Sequence, residues 1–199
     1  MRPISVFVLL ATFLLLPACS PKPDDEIASV RKAIEAARIA EADLYAPDAY
    51  ESASDALKSA EAQIAEGDHA EAKAFLTRAK TEAESAASAA RSNKARVKTE
   101  AQTAQIDAQT ALDAAKEALR RAIKRSRSGP TLDSLRAELT DAEVSFNEAK
   151  TSYDDGRYLD SRNQFSAVER RAAAIAADIE GKARPPQSHL RPLSETTIP

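Results

Sequence analysis

From Asp68 to Ser128 the chain contains neither glycine nor proline, while alanine recurs every third or fourth residue. A stretch with no helix breaker and an apolar period near 3.6 predicts a single α-helix, placed over 69–126. At 1.5 Å per residue such a helix is about 85 Å long. It constrains everything else, because the remaining segments must pack along it.

The punctuation outside that stretch is just as regular. Gly67, Gly129, Gly156 and Gly181, with the prolines beyond the N-terminal segment, fall where an apolar pattern stops or starts. Five helices are predicted: 25–45, 48–66, 69–126, 131–154 and 157–181. The second lines one face with Tyr50, Ala53, Leu57, Ala60 and Ile64. The fourth does so with Leu132, Leu135, Leu139, Ala142, Phe146, Ala149 and Tyr153, and the fifth with Tyr158, Phe165, Val168, Ala172, Ile175 and Ile179. Each face is apolar enough to pack against a neighbour and too narrow to stand alone. Gly67 suits the left-handed residue that closes a helix, and Asp68 with Glu71 forms a capping box for the next, so a tight antiparallel hairpin is expected there.

Within the long helix, Leu76, Ala79, Ala83, Ala86 and Ala90 form one heptad stripe. Val97, Ala101, Ala104, Ala108, Ala111, Ala115, Ala118 and Ala122 form a second. Alanine lets helices approach closely but buries little area at about 25 cal/mol per Å², so the seam needs larger neighbours such as Leu112 and Leu119. At Asn93, Val97 and Ala101 the step becomes four then four, inside the polar stretch Arg91–Arg96. That resembles a stutter and predicts a junction. Laying Gly67 over Gly156 aligns Ala53, Leu57, Ala60 and Ile64 with Ala142, Phe146, Ala149 and Tyr153, an internal repeat of one hairpin. The expected fold is all-α, an elongated helical bundle or coiled coil in which two helical hairpins share one long central helix. A first bundle is placed at 26–95 and a second at 96–181, by geometry similar to a spectrin-like rod. The proline-rich tail 182–199 reads as disordered.

Composition narrows the function. Hydrophobic residues make up 43%, mostly alanine, with aromatics at 5% and no tryptophan, which argues against a thick core. With 28 basic and 31 acidic side chains there is no field of one sign, and nucleic acid is not an expected partner.

The first residues carry a different message. Met1 and Arg2 give a positive start, and Ile4 to Leu16 is almost wholly apolar, the layout of a secretory signal at 1–18. The run is short of the ~20 residues that span a bilayer. It ends at Cys19, the one cysteine in the chain. Leu16-Pro17-Ala18-Cys19 resembles a bacterial lipobox, with Leu16 and Ala18 setting the cleavage site and Cys19 taking the lipid. The resemblance implies a diacylglyceryl thioether on Cys19 and an acylated amino terminus, and several chains together make a lasting anchor. Ser20, where the resembled sorting rule would place aspartate for inner-membrane retention, favours the outer membrane with the protein facing the periplasm. Residues 19–25 then read as the lipidated cysteine and a short tether.

The run from Leu44 to Ala87, "LYAPDAYESASDALKSAEAQIAEGDHAEAKAFLTRAKTEAESA", resembles the alanine-rich helical domain of unknown function found in bacterial envelope lipoproteins, often ahead of an outer-membrane-protein-A-like wall-binding domain. The Tyr-Ala-Pro start, the alanine spacing and the Gly-Asp turn carry the likeness. No wall-binding domain is read after Gly181, so wall binding does not carry over with the resemblance. The Gly-Asp turn is also similar to tetratricopeptide hairpins, but the two hairpins here are not in tandem.

Nothing in the pattern specifies a reaction. His69 opens a helix and His189 lies in the tail, neither with a cysteine or carboxylate pair at ligand spacing, and acidic pairs such as Asp154 with Asp155 sit at helix ends. There is no phosphate loop and no serine elbow. No catalytic residue, metal or cofactor is therefore expected beyond the lipid on Cys19. Arg120, Arg121, Lys124, Arg125 and Arg127 crowd the end of the long helix, where positive charge favours the dipole; they are also the candidate patch for an anionic partner. The expected function is a non-enzymatic outer-membrane lipoprotein acting as a periplasmic spacer or protein-docking scaffold. Expected partners are the membrane, through the anchor, and an envelope protein or peptidoglycan. The alternatives are an accessory module binding wall or lipid components, and an oligomer paired through the alanine seam instead of a monomer.

Overall fold

Six helices form in chain order: α1 (Asp24–Ile39), α2 (Ala42–Tyr45), α3 (Pro47–Glu66), α4 (His69–Arg125), α5 (Pro130–Asp154) and α6 (Tyr158–Ala183). This is a computed structural model, and it describes residues 23–125 and 130–183. Leu16, Ala18 and Cys19, Arg127, and the tail from 184 lie outside the described residues. Among those described there is no strand, and the fold is all-α. The chain divides into two compact units, one ending at Asn93 and the next beginning at Lys94, so the division falls within α4.

In the first unit α1 opens with Asp24, Asp25 and Glu26, whose charges complement the exposed amides of a helix start. It does not run to 45 as the sequence pattern suggests. The helix ends at Ile39, Glu41 turns left-handed at φ 59°, and the single turn α2 follows. The apolar register explains the break. Continuing from Val30 and Ala37, an unbroken helix would point Glu41 and Leu44 at the core. The break instead buries Ala42 and Tyr45, leaving Leu44 58% exposed and Ile39 71% exposed. Ala46, at φ −150° and ψ 52°, lies outside the helical region and leads into Pro47 at the first position of α3, where the N–H that proline lacks would have no intrahelical partner. Val30, Ala56, Ala60, Leu76 and Ala79 form a core cluster of this unit, flanked by Ile27, Ile34, Leu57 and Phe75.

α3 ends in a Schellman turn. Gly67 sits at φ +85°, its N–H donates to Ile64 O at 3.1 Å, and the Asp68 N–H donates to Gln63 O at 2.9 Å. Asp68 then caps α4, accepting the Glu71 N–H at 3.0 Å. The α5–α6 turn repeats this geometry. Gly156 is at φ +80°, Gly156 N–H donates to Tyr153 O at 3.0 Å, and Arg157 N–H donates to Ser152 O at 2.9 Å.

The second unit has the thicker core. The later residues of α4 contribute Ala104, Ala108, Leu112, Ala115 and Leu119, α5 contributes Leu135, Leu139, Ala142, Phe146 and Ala149, and α6 contributes Phe165, Val168, Ala172, Ile175 and Ile179. Phe146 and Phe165 meet with ring centroids 5.2 Å apart, tilted by 58°. The stripe expected through Ala111 is corrected here. Leu112 is buried to 1% exposure, whereas Ala111 only packs at the edge. The buried residues Val97, Ala101, Ala104, Ala108, Leu112, Ala115 and Leu119 step four-three-four twice over, and Ala118 and Ala122, the stripe positions expected beyond Ala115, are buried alongside them. The four-three-four step is an eleven-residue repeat at about 3.67 residues per turn, closer to the natural α-helix than a heptad. Ala111 and Leu112 are both apolar, so the larger side chain takes the inward position.

Candidate functional site

Of the basic residues at the end of α4, Arg120 bonds Glu117 at 2.9 Å and Arg121 lies 3.5 Å from Glu180 on α6. Lys124 and Arg125 are exposed in the last turn. The four described members are thus a mixture of ion-paired arginines and solvated helix-end cations. His69 opens α4 partly buried, with Nδ1 shielded and carrying no hydrogen-bond partner. Among the described residues no group of three or more His, Cys, Asp or Glu side chains is placed to hold a metal ion.

The structure brings together residues that the sequence reading did not single out. Between α4 and α6 lies a groove lined by Arg96, Thr99, Glu100, Thr103, Arg162 and Glu169. At its centre Arg162 Nη1 donates to Glu100 Oε2 at 2.8 Å, and Arg96 bonds the other oxygen of the same carboxylate from one turn away on α4. Arg162, and after it Arg96, holds the Glu100 carboxyl below its ordinary value of 4.5. The only signal in the sequence was the Arg96–Glu100 spacing of one helical turn. Arg162 is remote in sequence and reaches Glu100 only because α6 packs beside α4.

A second groove of the same unit runs between α4 and α5. Gln102, Gln105, Ile106, Gln109 and Thr110 line it from α4, and Phe146 and Lys150 from α5. A turn before Gln102 on α4, Lys98 Nζ stands 5.5 Å from the centroid of the Tyr158 ring, and Lys94 Nζ stands 6.0 Å from it. Tyr158 in turn packs against Tyr153 at 5.2 Å. In the first unit a third groove lies between α1 and α4, lined by Glu26, Ser29, Val30, Leu76, Lys80 and Glu84 among others. All three grooves are open to solvent.

A family resemblance covers α1–α3 and the beginning of α4. Residues 25–101 match a domain of unknown function, DUF4398. The DUF4398 match contains the whole run Leu44–Ala87 and ends within α4. No curated protein and no solved structure matches the chain.

Proposed function

We propose that this chain is a lipid-anchored protein of the bacterial outer membrane that faces the periplasm and acts, without catalysis, as a helical spacer or protein-docking scaffold. The observation that carries the reading is the placement of Cys19, the one cysteine of the chain, in Leu16-Pro17-Ala18-Cys19 at the close of the apolar N-terminal run. In an exported chain a lone thiol has no disulfide partner, and lipidation gives it a use. No described helix is long and apolar enough to cross a membrane, so the reading assigns membrane attachment to the lipid. α1 starts at Asp24, five residues after Cys19 in the sequence.

Intact-mass analysis of protein purified from a bacterial host tests the anchor. The expected result is a chain starting at Cys19 with the added mass of a diacylglyceryl group and an amide-linked acyl chain. A free thiol on the matured chain, or Cys19→Ala protein fractionating with membranes as the parent does, would reject it. In-cell crosslinking with mass spectrometry on the parent then identifies the docked protein.

A further inference from the structure

The grooves differ in charge. Those beside α6 and beside α1 each carry carboxylates in their lining: Glu100, Asp107 and Glu169 in one, Glu26 and Glu84 in the other. The α4–α5 groove, about 610 Å³, is lined by three glutamine amides, a threonine, two apolar side chains and Lys150, with no carboxylate. This happens in a chain with 31 acidic residues. Further along the same flank Asp113 and Glu143 are both held by Lys116, at 3.9 and 2.6 Å. At the other end Asp155 is taken by Arg157 at 2.9 Å, while Lys94 and Lys98 stand over Tyr158. Lys150, in the lining, and Lys98, one turn before Gln102, are thus the cations beside the amide row, while Asp113 and Glu143 share one lysine at the far end and Asp154 follows Lys150 by one turn of α5.

Gln102, Gln105 and Gln109 follow one another at helical spacing, and each amide offers a carbonyl acceptor and two N–H donors. Gln109 uses a donor on Asp113 Oδ1 at 3.1 Å and keeps its carbonyl for a ligand. Ile106, 66% exposed, supplies an apolar spot among them. Paired donors and acceptors around a small apolar surface match a sugar ring, which presents adjacent hydroxyls on its edge and C–H groups on its face. A docking helix would call for a ridge of apolar anchors at i, i+3, i+4 and i+7, and here only Ile106 stands out. Lys98 and Lys150 add charge-assisted donors for an acidic group on the sugar.

We propose that the α4–α5 groove binds an acidic glycan, with Gln102, Gln105 and Gln109 taking sugar hydroxyls and Lys98 and Lys150 taking its carboxylates. The site belongs to the second unit alone and stands whether or not Cys19 is lipidated.

The test uses the full chain carrying Cys19→Ser, titrated with a galacturonate hexamer while side-chain amide resonances are followed by NMR. Maltohexaose serves as the neutral comparator and polyphosphate as charge without a sugar. The expected result is saturable shifts at the three glutamines. The affinity should fall about tenfold in Lys98→Gln/Lys150→Gln, and by a similar factor with maltohexaose. Gln105→Ala/Gln109→Ala should also weaken the hexamer. Both lysines are exposed, and circular dichroism on each variant confirms that it is folded. Four results would overturn the site: no saturation at millimolar hexamer, equal binding by the lysine variant, equal binding by polyphosphate, or sedimentation showing that the face is occupied by a second copy.

Discussion

Asn93 donates from Nδ2 to the backbone carbonyl of Tyr45 at 2.7 Å, tying α4 to the single turn α2 across 48 residues of sequence. Asn93 stands one turn after the buried Ala90 and one turn before the buried Val97, a position where the stripe would otherwise be apolar. Its amide fixes the corner that Glu41 and Ala46 create. Asn93→Ala should lower the stability of the first unit by about 1–2 kcal/mol, because a partly buried acceptor loses its donor. Urea denaturation of the variant checks this, and an unchanged midpoint would show that the bond is not needed to hold the corner.

Glu100 gives a pH prediction. Its folded-state pKa lies below the ordinary 4.5, chiefly through Arg162. A depressed carboxyl binds its proton less readily in the folded chain than in the unfolded one. Its contribution is therefore complete above the unfolded pKa and is lost as pH falls through the folded value. Acid unfolding of Arg162→Gln should accordingly show a shallower loss of stability below pH 4.5 than the parent. In a carboxyl NMR titration the Glu100 midpoint should rise toward the ordinary value; a midpoint unmoved by Arg162→Gln would contradict the assignment.

Ser161 is fully buried, and its Oγ has no hydrogen-bond partner. Its counterpart, when Gly156 is laid over Gly67, is the equally buried Ala72. A buried hydroxyl without a partner costs roughly 1–3 kcal/mol, so Ser161→Ala should leave stability unchanged or raise it by about 1 kcal/mol. A thermal midpoint several degrees below the parent would mean that the hydroxyl has a partner after all.

Three glycines separate conformational cost from steric cost. A Cβ at Gly67, Gly156 or Gly181 would meet nothing within 4 Å. Gly67 and Gly156 have positive φ, so alanine at either should destabilise by about 1–2 kcal/mol. Gly181 lies in α6, and Gly181→Ala should stabilise by roughly 0.5–1 kcal/mol. Differential scanning calorimetry on the three variants should therefore give two decreases and one small increase.

Both hairpin turns are legible in the sequence because glycine marks a left-handed residue and little else follows a helix so well. The faces of α5 and α6 were legible too, since Leu, Phe, Val and Ile stand at helical spacing with few rivals. The break at Glu41 was not. Ile39-Ala40-Glu41-Ala42 contains no breaker, and its only clue is that Ala37 agrees with Glu41 and Leu44, whereas Ala42 and Tyr45 make the better core. The step from Ala108 to Leu112 was hidden for a similar reason, as Ala111 fits a heptad equally well. Pairings such as Arg162 with Glu100 depend on which helix faces which, and one-dimensional spacing does not carry that information. The amide row Gln102, Gln105, Gln109 was readable as spacing, but its meaning depends on Lys150 arriving from α5.

The duplicated Schellman hairpins pose a recognition problem during folding, because either could in principle seize the other's neighbours. Side-chain bulk resolves it. Where α4 of the first unit buries Ala79, Ala86 and Ala90, α6 buries Val168, Ile175 and Ile179 at the corresponding places. Seating α6 in the narrow slot cut for alanine would overfill it, at a cost of about 1–3 kcal/mol for each misplaced bulky group. The poverty of the alanine core thus serves as a lock that admits only its own key.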